Sequence, residues 1–341
     1  MKKVSLKDIA REVGVSTALV SYVLNNKREG RISKQIAARI KEVARKLNYR
    51  TNQIARSLKI SKTFTLGLIV ADISNPFSSA MARIVEDEAD RHGYTVLFGS
   101  SDENATKFKK LIDTFLNRQV DGLIVSPPAG SEDQLLMLQQ MDLPFVLLDR
   151  YFPTIKTNYV AINNYQAAKN AVSHLIEKGS RQVGLLSFNS TLYHLKERKR
   201  GYLSALKENG ITSKKRWIKE VDIFTNKEET EKAMAELIKG PDPVDAVLFG
   251  SNVIAGHALH YINSTAIRVP EELAIVSFDE TDALDLFYSP LSYIRQPLTE
   301  MGRQATRILL DCVEHNNKVS HIEMETTLVV RASSVRRTEV S

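Results

Sequence analysis

The sequence predicts an all-α helix-turn-helix headpiece at the N-terminus and, behind it, an α/β core of two doubly wound parallel-sheet lobes. Three observations predict it. Residues 5–25 hold two short, capped, amphipathic helices around a glycine. Residues 1–62 carry 16 Lys+Arg against 4 Asp+Glu, a charge of +12, while the remaining 279 residues carry −5 of the chain's total of +7. From Phe64 onward, apolar runs of strand length alternate with amphipathic helical stretches, the pattern of parallel sheets covered by helices.

In the headpiece, Ser5 stands where it caps the first helix, Asp8 answers it three residues later, and Leu6, Ile9, Ala10 and Val13 share one face. Gly14 supplies the turn, because a residue without Cβ takes positive φ at little cost. Ser16 caps the second helix, which turns Leu19, Val20 and Val23 inward and Thr17, Ala18, Ser21 and Tyr22 outward, toward a major groove. Ser33 caps a third, Lys34 to Leu47, with Ile36, Ile40, Val43, Ala44 and Leu47 at core spacing. The stretch that follows, to Lys62, is polar and basic, and its one helical segment, Asn52 to Leu58, is too short to be stable alone. It reads as a linker that folds on its partner. The clustered positive charge is the footprint of phosphate-backbone binding; a merely solvated basic tail would lack the capped, periodic helices.

In the core, strands are expected at Leu66–Val70, Thr95–Phe98, Gly122–Val125, Phe145–Leu148, Tyr159–Ile162, Gln182–Leu186, Ala246–Phe249 and Ala274–Phe278, with helices between them such as Phe77–His92, Tyr165–Lys178, Glu228–Lys239 and Leu298–His315. So long a stretch exceeds a comfortable single core, which argues for two lobes. Ligands of such sheets bind beyond the carboxyl ends of the strands. The residues there are polar: Asp72, Ser74 and Asn75, then Asp149 and Arg150, Asn163 and Asn164, Ser251 and Asn252, and Asp279. Any one of them also has a plain reading as a helix cap or turn residue, so their recurrence at equivalent strand ends is what points to a cleft.

The opening residues lack the apolar run of an export signal and no apolar run is long enough to span a bilayer, so a cytoplasmic chain without membrane contact is expected. The single cysteine, Cys312, reads as a small buried hydrophobe. No glycine pattern of a phosphate or dinucleotide loop occurs, and His257 with His260 lacks the further ligand a metal site needs. Neither enzyme activity nor a cofactor or metal is expected.

The motifs Leu6-Lys-Asp-Ile-Ala10, Gly14-Val-Ser16, Val23-Leu-Asn25, Leu47-Asn-Tyr49, Asn52 with Ala55-Arg56-Ser57-Leu58, Asn75-Pro76-Phe77, Val120-Asp-Gly122, Arg198 with Gly201-Tyr202, Val269-Pro270, Phe278-Asp279 and Gln296-Pro297 occur in that order. With them the chain resembles the lactose and galactose repressor family over nearly its whole length. The resemblance implies a helix-turn-helix domain over 1–50, a hinge helix over 51–62, and a periplasmic-binding-protein-like core over 63–341 that the chain crosses three times. Its N-lobe is expected at about 63–160 and 293–318, its C-lobe at about 161–292 and 319–335. It implies a homodimeric regulator, a repressor, that binds a pseudo-palindromic operator in double-stranded DNA under control of a small-molecule effector.

By the same resemblance Thr17, Ala18 and Tyr22 fill base-reading positions, and Ser16, Ser21 and Asn25 phosphate-contacting ones. Asn52, Ala55, Arg56 and Leu58 belong to the hinge, with Leu58 as an apolar wedge in the minor groove. The effector falls to Ser74, Phe77, Asp149, Arg150, Asn163, Arg198, Asn252, Asp279 and Gln296, whose acceptors and donors suit a sugar or sugar-derived metabolite. Arg150 has a second reading as an ion pair at a lobe edge, Phe77 and Gln296 as plain cleft wall. The chain departs from the family pattern at Thr51, where proline is usual, at Ile36-Ala37, where Thr-Arg is, in an apparently longer loop near Lys27 to Arg31, and at Asn163 and Asn252, where many members carry aspartate. No apolar heptad repeat follows Val330, so a tetramer-forming tail is not expected. Two alternatives stay open: a global regulator whose corepressor is a phosphoprotein, and a ligand-binding module without DNA function.

Overall fold

The computed structural model describes residues 4–25, 32–49, 62–315 and 319–336. The chain divides into two compact units, Met1–Thr63 and Phe64–Ser341.

Among its described residues the first unit holds three helices, α1 (Leu6–Val13), α2 (Thr17–Leu24) and α3 (Lys34–Lys46). The Asp8 carboxylate accepts the Ser5 backbone N–H at 2.9 Å and its hydroxyl at 2.7 Å. Gly14 ends α1 at φ +79° with its N–H on the Ala10 carbonyl, and the Ser16 hydroxyl accepts the Leu19 N–H at 3.2 Å. Ile9, Ala10, Val20, Val23, Ile40 and Ala44 form the core. Two expectations need correction. Ser33 holds the cap position of α3 without a side-chain cap bond. Ile36 is 38% exposed, because the face α3 buries runs through Ala37, Ile40 and Ala44 and Ile36 lies on its flank in the first turn.

The second unit holds two six-stranded sheets. The N-lobe sheet uses β1 (Thr65–Val70), β2 (Thr95–Ser100), β3 (Gly122–Val125), β4 (Phe145–Leu148), β5 (Asn158–Ile162) and β11 (His321–Met324) in the order β11-β5-β4-β3-β1-β2. The C-lobe sheet uses β6 (Val183–Phe188), β7 (Ile218–Val221), β8 (Ala246–Phe249), β9 (Ala274–Phe278), β10 (Ser292–Arg295) and β12 (Thr327–Val329) in the order β12-β10-β9-β8-β6-β7. All neighbours are parallel except β10 and β12. Between the strands run α4 (Pro76–Arg91), α5 (Ala105–Asn117), α6 (Glu132–Gln140), α7 (Asn164–Glu177), α8 (Tyr193–Glu208), α9 (Asn226–Lys239), α10 (Asn252–Asn263) and α11 (Leu298–His315). Among the described residues no helix is long and apolar enough to cross a membrane.

The chain passes between the lobes three times, a little later than the sequence suggests each time. β5 stays in the N-lobe sheet through Ile162, β10 pairs in the C-lobe sheet through Arg295, and β11 belongs to the N-lobe although 319 onward was assigned to the C-lobe. The two sheets share one strand order, so β4 and β9 are equivalent, and so are the residues that follow them. These are Asp149 and Asp279, with left-handed φ of 69° and 68°. Aspartate tolerates that conformation better than most side chains. Where α8 crosses α7, Gly201 lets the backbones touch, since a Cβ there would collide with the Tyr165 carbonyl. That close approach carries Arg198 to the start of α7.

Candidate functional site

A cleft of about 690 Å³ lies between the two lobes, lined from both. Asp149 enters it from the end of β4, 8% exposed. Its Oδ1 has no hydrogen-bond partner among the described residues, and its Oδ2 is 3.9 Å from Arg150 Nε. Burial pushes its carboxyl up to about 6, with Asp279 adding to the effect and Arg150 and Arg198 opposing it. Asp279 enters from the end of β9, and its Oδ1 accepts Gln296 Nε2 at 2.5 Å. Gln296 Oε1 has no partner among the described residues.

Arg198 is buried beside both aspartates. Its Nε donates to Asn164 Oδ1 at 2.8 Å, its Nη1 donates to the Gly250 carbonyl at 2.7 Å, and its plane lies 3.8 Å over the Phe278 ring. Burial lowers its pKa and the two aspartates oppose that, yet a guanidinium stays charged. Arg150 makes a two-pronged pair with Glu103 at 2.7 and 2.6 Å. Burial works against its charge, and Glu103 more than restores it. One turn before Arg198, His194 is buried, and its Nδ1 has no hydrogen-bond partner among the described residues. Burial, then Arg198 and Arg150, hold it well below the ordinary histidine range, so it is neutral at pH 7.

On the headpiece, Thr17 and Ala18 are exposed in the first turn of α2, and Ser21 and Tyr22 are half-buried beside them. Asn25 donates to the Ser21 carbonyl at 2.7 Å, so two of the expected phosphate contacts are tied to each other. Asn52, Ala55, Arg56 and Leu58, with Thr51 and the loop cations Lys27, Arg28 and Arg31, lie outside the described residues.

Comparison with known proteins joins the two sites. The model for bacterial regulatory proteins of the lacI family matches residues 5–52, and that for a periplasmic binding protein-like domain matches residues 172–334. The HTH-type transcriptional repressor CytR of Escherichia coli K12 is 32% identical over 332 residues, covering 97% of this chain and 96% of its own. The HTH-type transcriptional repressor PurR of Photobacterium profundum is 30% identical over 331 residues, covering 96% of this chain and 98% of its own. The chain belongs to the lacI family. In fold, the Lac repressor dimer bound to operator and the anti-inducer ONPF superposes with a TM-score of 0.85 over 98% of this chain and 100% of that one, at 22% identity. This LacI-family chain is a DNA-binding transcriptional regulator with an effector-binding core.

Within this LacI-family core the structure gathers Phe77, Asp149, Arg150, Arg198, Asp279 and Gln296 around one cleft. It keeps three expected residues out. Ser74 is exposed and donates its hydroxyl to Asp72 at 2.7 Å. Asn163 caps α7 by accepting the Gln166 N–H at 2.9 Å and faces a separate groove with Tyr151 and Tyr193. Asn252 accepts the Val253 N–H at 2.9 Å and reaches Asn75 of the other lobe at 3.0 Å. The reason is shared, since short polar side chains at a strand-to-helix junction satisfy nearby backbone N–H groups or local turns first. Sequence reading missed His194, the Glu103 that takes Arg150, and Phe224, 70% exposed in the cleft lining, and it placed Asn164 among the polar strand ends without its part in aiming Arg198. For His194 the one available signal was its four-residue spacing from Arg198 on a helix.

Proposed function

We propose that this chain acts as a homodimeric repressor, in the cytoplasm beside its DNA, whose operator affinity is set by a small hydroxylated effector held between the lobes. The observation that carries this reading is the convergence of Asp149, Arg198 and Asp279 from both lobes on one cleft, in a chain whose other unit is a helix-turn-helix. Asp279 and Arg198 bind the effector, Asp149, Phe77 and Gln296 complete its surroundings, and Arg150 is held as an ion pair at the cleft edge. Effector binding favours one lobe arrangement over another, and that shift in population alters the order of the hinge over 51–62. Thr17, Ala18 and Tyr22 read bases, Ser16, Ser21 and Asn25 contact phosphates, and Leu58, with Asn52, Ala55 and Arg56 around it, wedges the minor groove. CytR and PurR carry the name repressor, which supports the direction of control.

The test is selection of binding sites from a random duplex pool by the full-length protein. A pseudo-palindrome should be enriched, and affinity for it should fall by roughly 10³-fold or more between 50 and 200 mM salt, as phosphate-contacting cations require. Leu58→Ala should lose affinity and DNA bending together. A protein that enriches no sequence is not the regulator described.

A further inference from the structure

Resting on the reading that an effector shifts the lobe arrangement, we propose that Asn75 and Asn252 form a latch between the lobes at the cleft rim, and that Asn252 is the half whose amide cannot be replaced by a carboxylate. Asn75 caps α4 in the N-lobe, Asn252 opens α10 in the C-lobe, and their side chains meet at 3.0 Å. Which atom donates follows from what else each amide does. Asn75 Oδ1 accepts the Phe77 N–H at 3.0 Å. Asn252 Oδ1 accepts the Val253 N–H at 2.9 Å and the Ser251 hydroxyl at 3.3 Å. Each oxygen is thereby held on its own helix, and Asn252 Nδ2 is the group that reaches across. Asn252 is 5% exposed, so water competes little for the bond and the low local dielectric strengthens it.

The place of the bond gives it leverage. β1, which leads to Asn75, lies three strands from β5, where the chain first leaves the N-lobe, and β8, which leads to Asn252, lies two strands from β10, where it returns. At about 4.8 Å per strand the bond stands roughly 10–14 Å from the crossings. A lobe rotation of about 10° around the crossings parts the two side chains by ~2 Å, beyond hydrogen-bond reach. The bond is therefore made in one arrangement of the lobes and broken in another, as a two-state element requires. Asn75 and Phe77 both line the cleft, so a ligand seated against Phe77 acts on the same first turn of α4 that carries the latch.

The experiment makes one chemical change at two places. A carboxylate at either position still accepts the N–H groups of its own helix start, yet only one of the two substitutions keeps the latch. Asn75→Asp offers Asn252 an acceptor as before, whereas Asn252→Asp removes the donor and sets a carboxylate against the Asn75 oxygen. Spin labels at Gln140→Cys on α6 and Lys232→Cys on α9 report the distance between the lobes. They are placed in the full-length Cys312→Ser protein without ligand or DNA, with labelled chains diluted by unlabelled ones. The parent and Asn75→Asp should give the same distance distribution. Asn252→Asp should raise the longer-distance population by roughly 2- to 10-fold, the weight of one hydrogen bond, and Asn252→Ser, too short to reach across, should match it. Equal distributions in all four proteins overturn the latch, as does an Asn75→Asp protein that opens as far as Asn252→Asp. Site selection on the same preparations separates this from the regulator itself. An enriched pseudo-palindrome with unchanged lobe distances removes only the latch, and lobes that open in Asn252→Asp with no sequence enriched leave the latch and remove the regulator.

Discussion

The two lobes close the cleft with the same residue in the same place, and then treat it differently. Asp149 follows β4 and Asp279 follows the equivalent β9, both buried and both left-handed. Asp279 is tied to Gln296, whereas Asp149 keeps one oxygen without a partner among the described residues. The arginines repeat the contrast. Arg150 of the N-lobe is matched by the Glu103 carboxylate, while Arg198 of the C-lobe is held by an amide and a carbonyl. Neutral acceptors orient a guanidinium without cancelling it, so Arg198 keeps its charge for the two aspartates and a ligand. Duplicated scaffolding places the acid; the neighbours decide whether it is fixed in advance or left for the effector to satisfy.

The largest expected effect comes from removing the charge both lobes share. Arg198→Met keeps the length of the side chain and leaves two buried carboxylates facing each other. Loss of one partner from a buried ionic set costs about 3–5 kcal/mol, so urea unfolding of the core should shift by that much at pH 7. A shift comparable to that of Arg150→Met in a Glu103→Gln background would mean that the two arginines are equivalent, against the contrast drawn above.

Next in size is the pH dependence of Asp149. Its folded pKa of about 6 lies above the ordinary 3.8, so the folded state favours the protonated form. That contribution is present in full below pH 4 and is lost as pH rises through 6. At pH 7 the ionised group therefore costs up to about 3 kcal/mol. Asp149→Asn should stabilise the ligand-free protein at pH 7.5, and the gain should vanish at pH 4. Asp279→Asn should instead lose about 1–2 kcal/mol at pH 7.5, because it gives up the charge-assisted bond from Gln296. Equal effects of the two substitutions would break the asymmetry between the lobes. Alanine is the wrong probe at either site, since left-handed φ adds roughly 1–2 kcal/mol of strain of its own.

The same contrast shows what was legible before any coordinates. Strands buried on both faces, such as Phe145–Leu148 and Ala274–Phe278, announce themselves as short apolar runs, and each ends on the aspartate that matters. The border strands Ile218–Val221, His321–Met324 and Thr327–Val329 do not, because they are half-exposed and mixed in polarity. That gap also displaced the third lobe crossing. Ser74, Asn163 and Asn252 look like Asp149 in sequence, and only the local structure shows that turns and helix starts claim them. Glu103 lies 47 residues from Arg150, a pairing that no local pattern records.

The smallest effect concerns how Arg198 is aimed. Asn164 Nδ2 donates to the Ile162 carbonyl at 3.2 Å, which fixes the amide so that its oxygen accepts Arg198 Nε. The residue thus stands where the chain leaves β5 for α7, at a crossing between the lobes, and it holds Arg198 from behind without itself lining the cleft. Asn164→Ala removes one hydrogen bond to a group that keeps the Gly250 carbonyl and the Phe278 ring. Effector affinity should fall by about 0.5–1.5 kcal/mol, or roughly 2- to 13-fold, while salt-dependent binding to DNA without effector is unchanged. A purely structural role would lower the melting point and leave the dissociation constant alone. Calorimetric titration with an effector found by a thermal-shift screen, alongside the melting curve, tells the two apart, and an affinity matching the parent protein would mean that Phe278 and Gly250 suffice to aim Arg198.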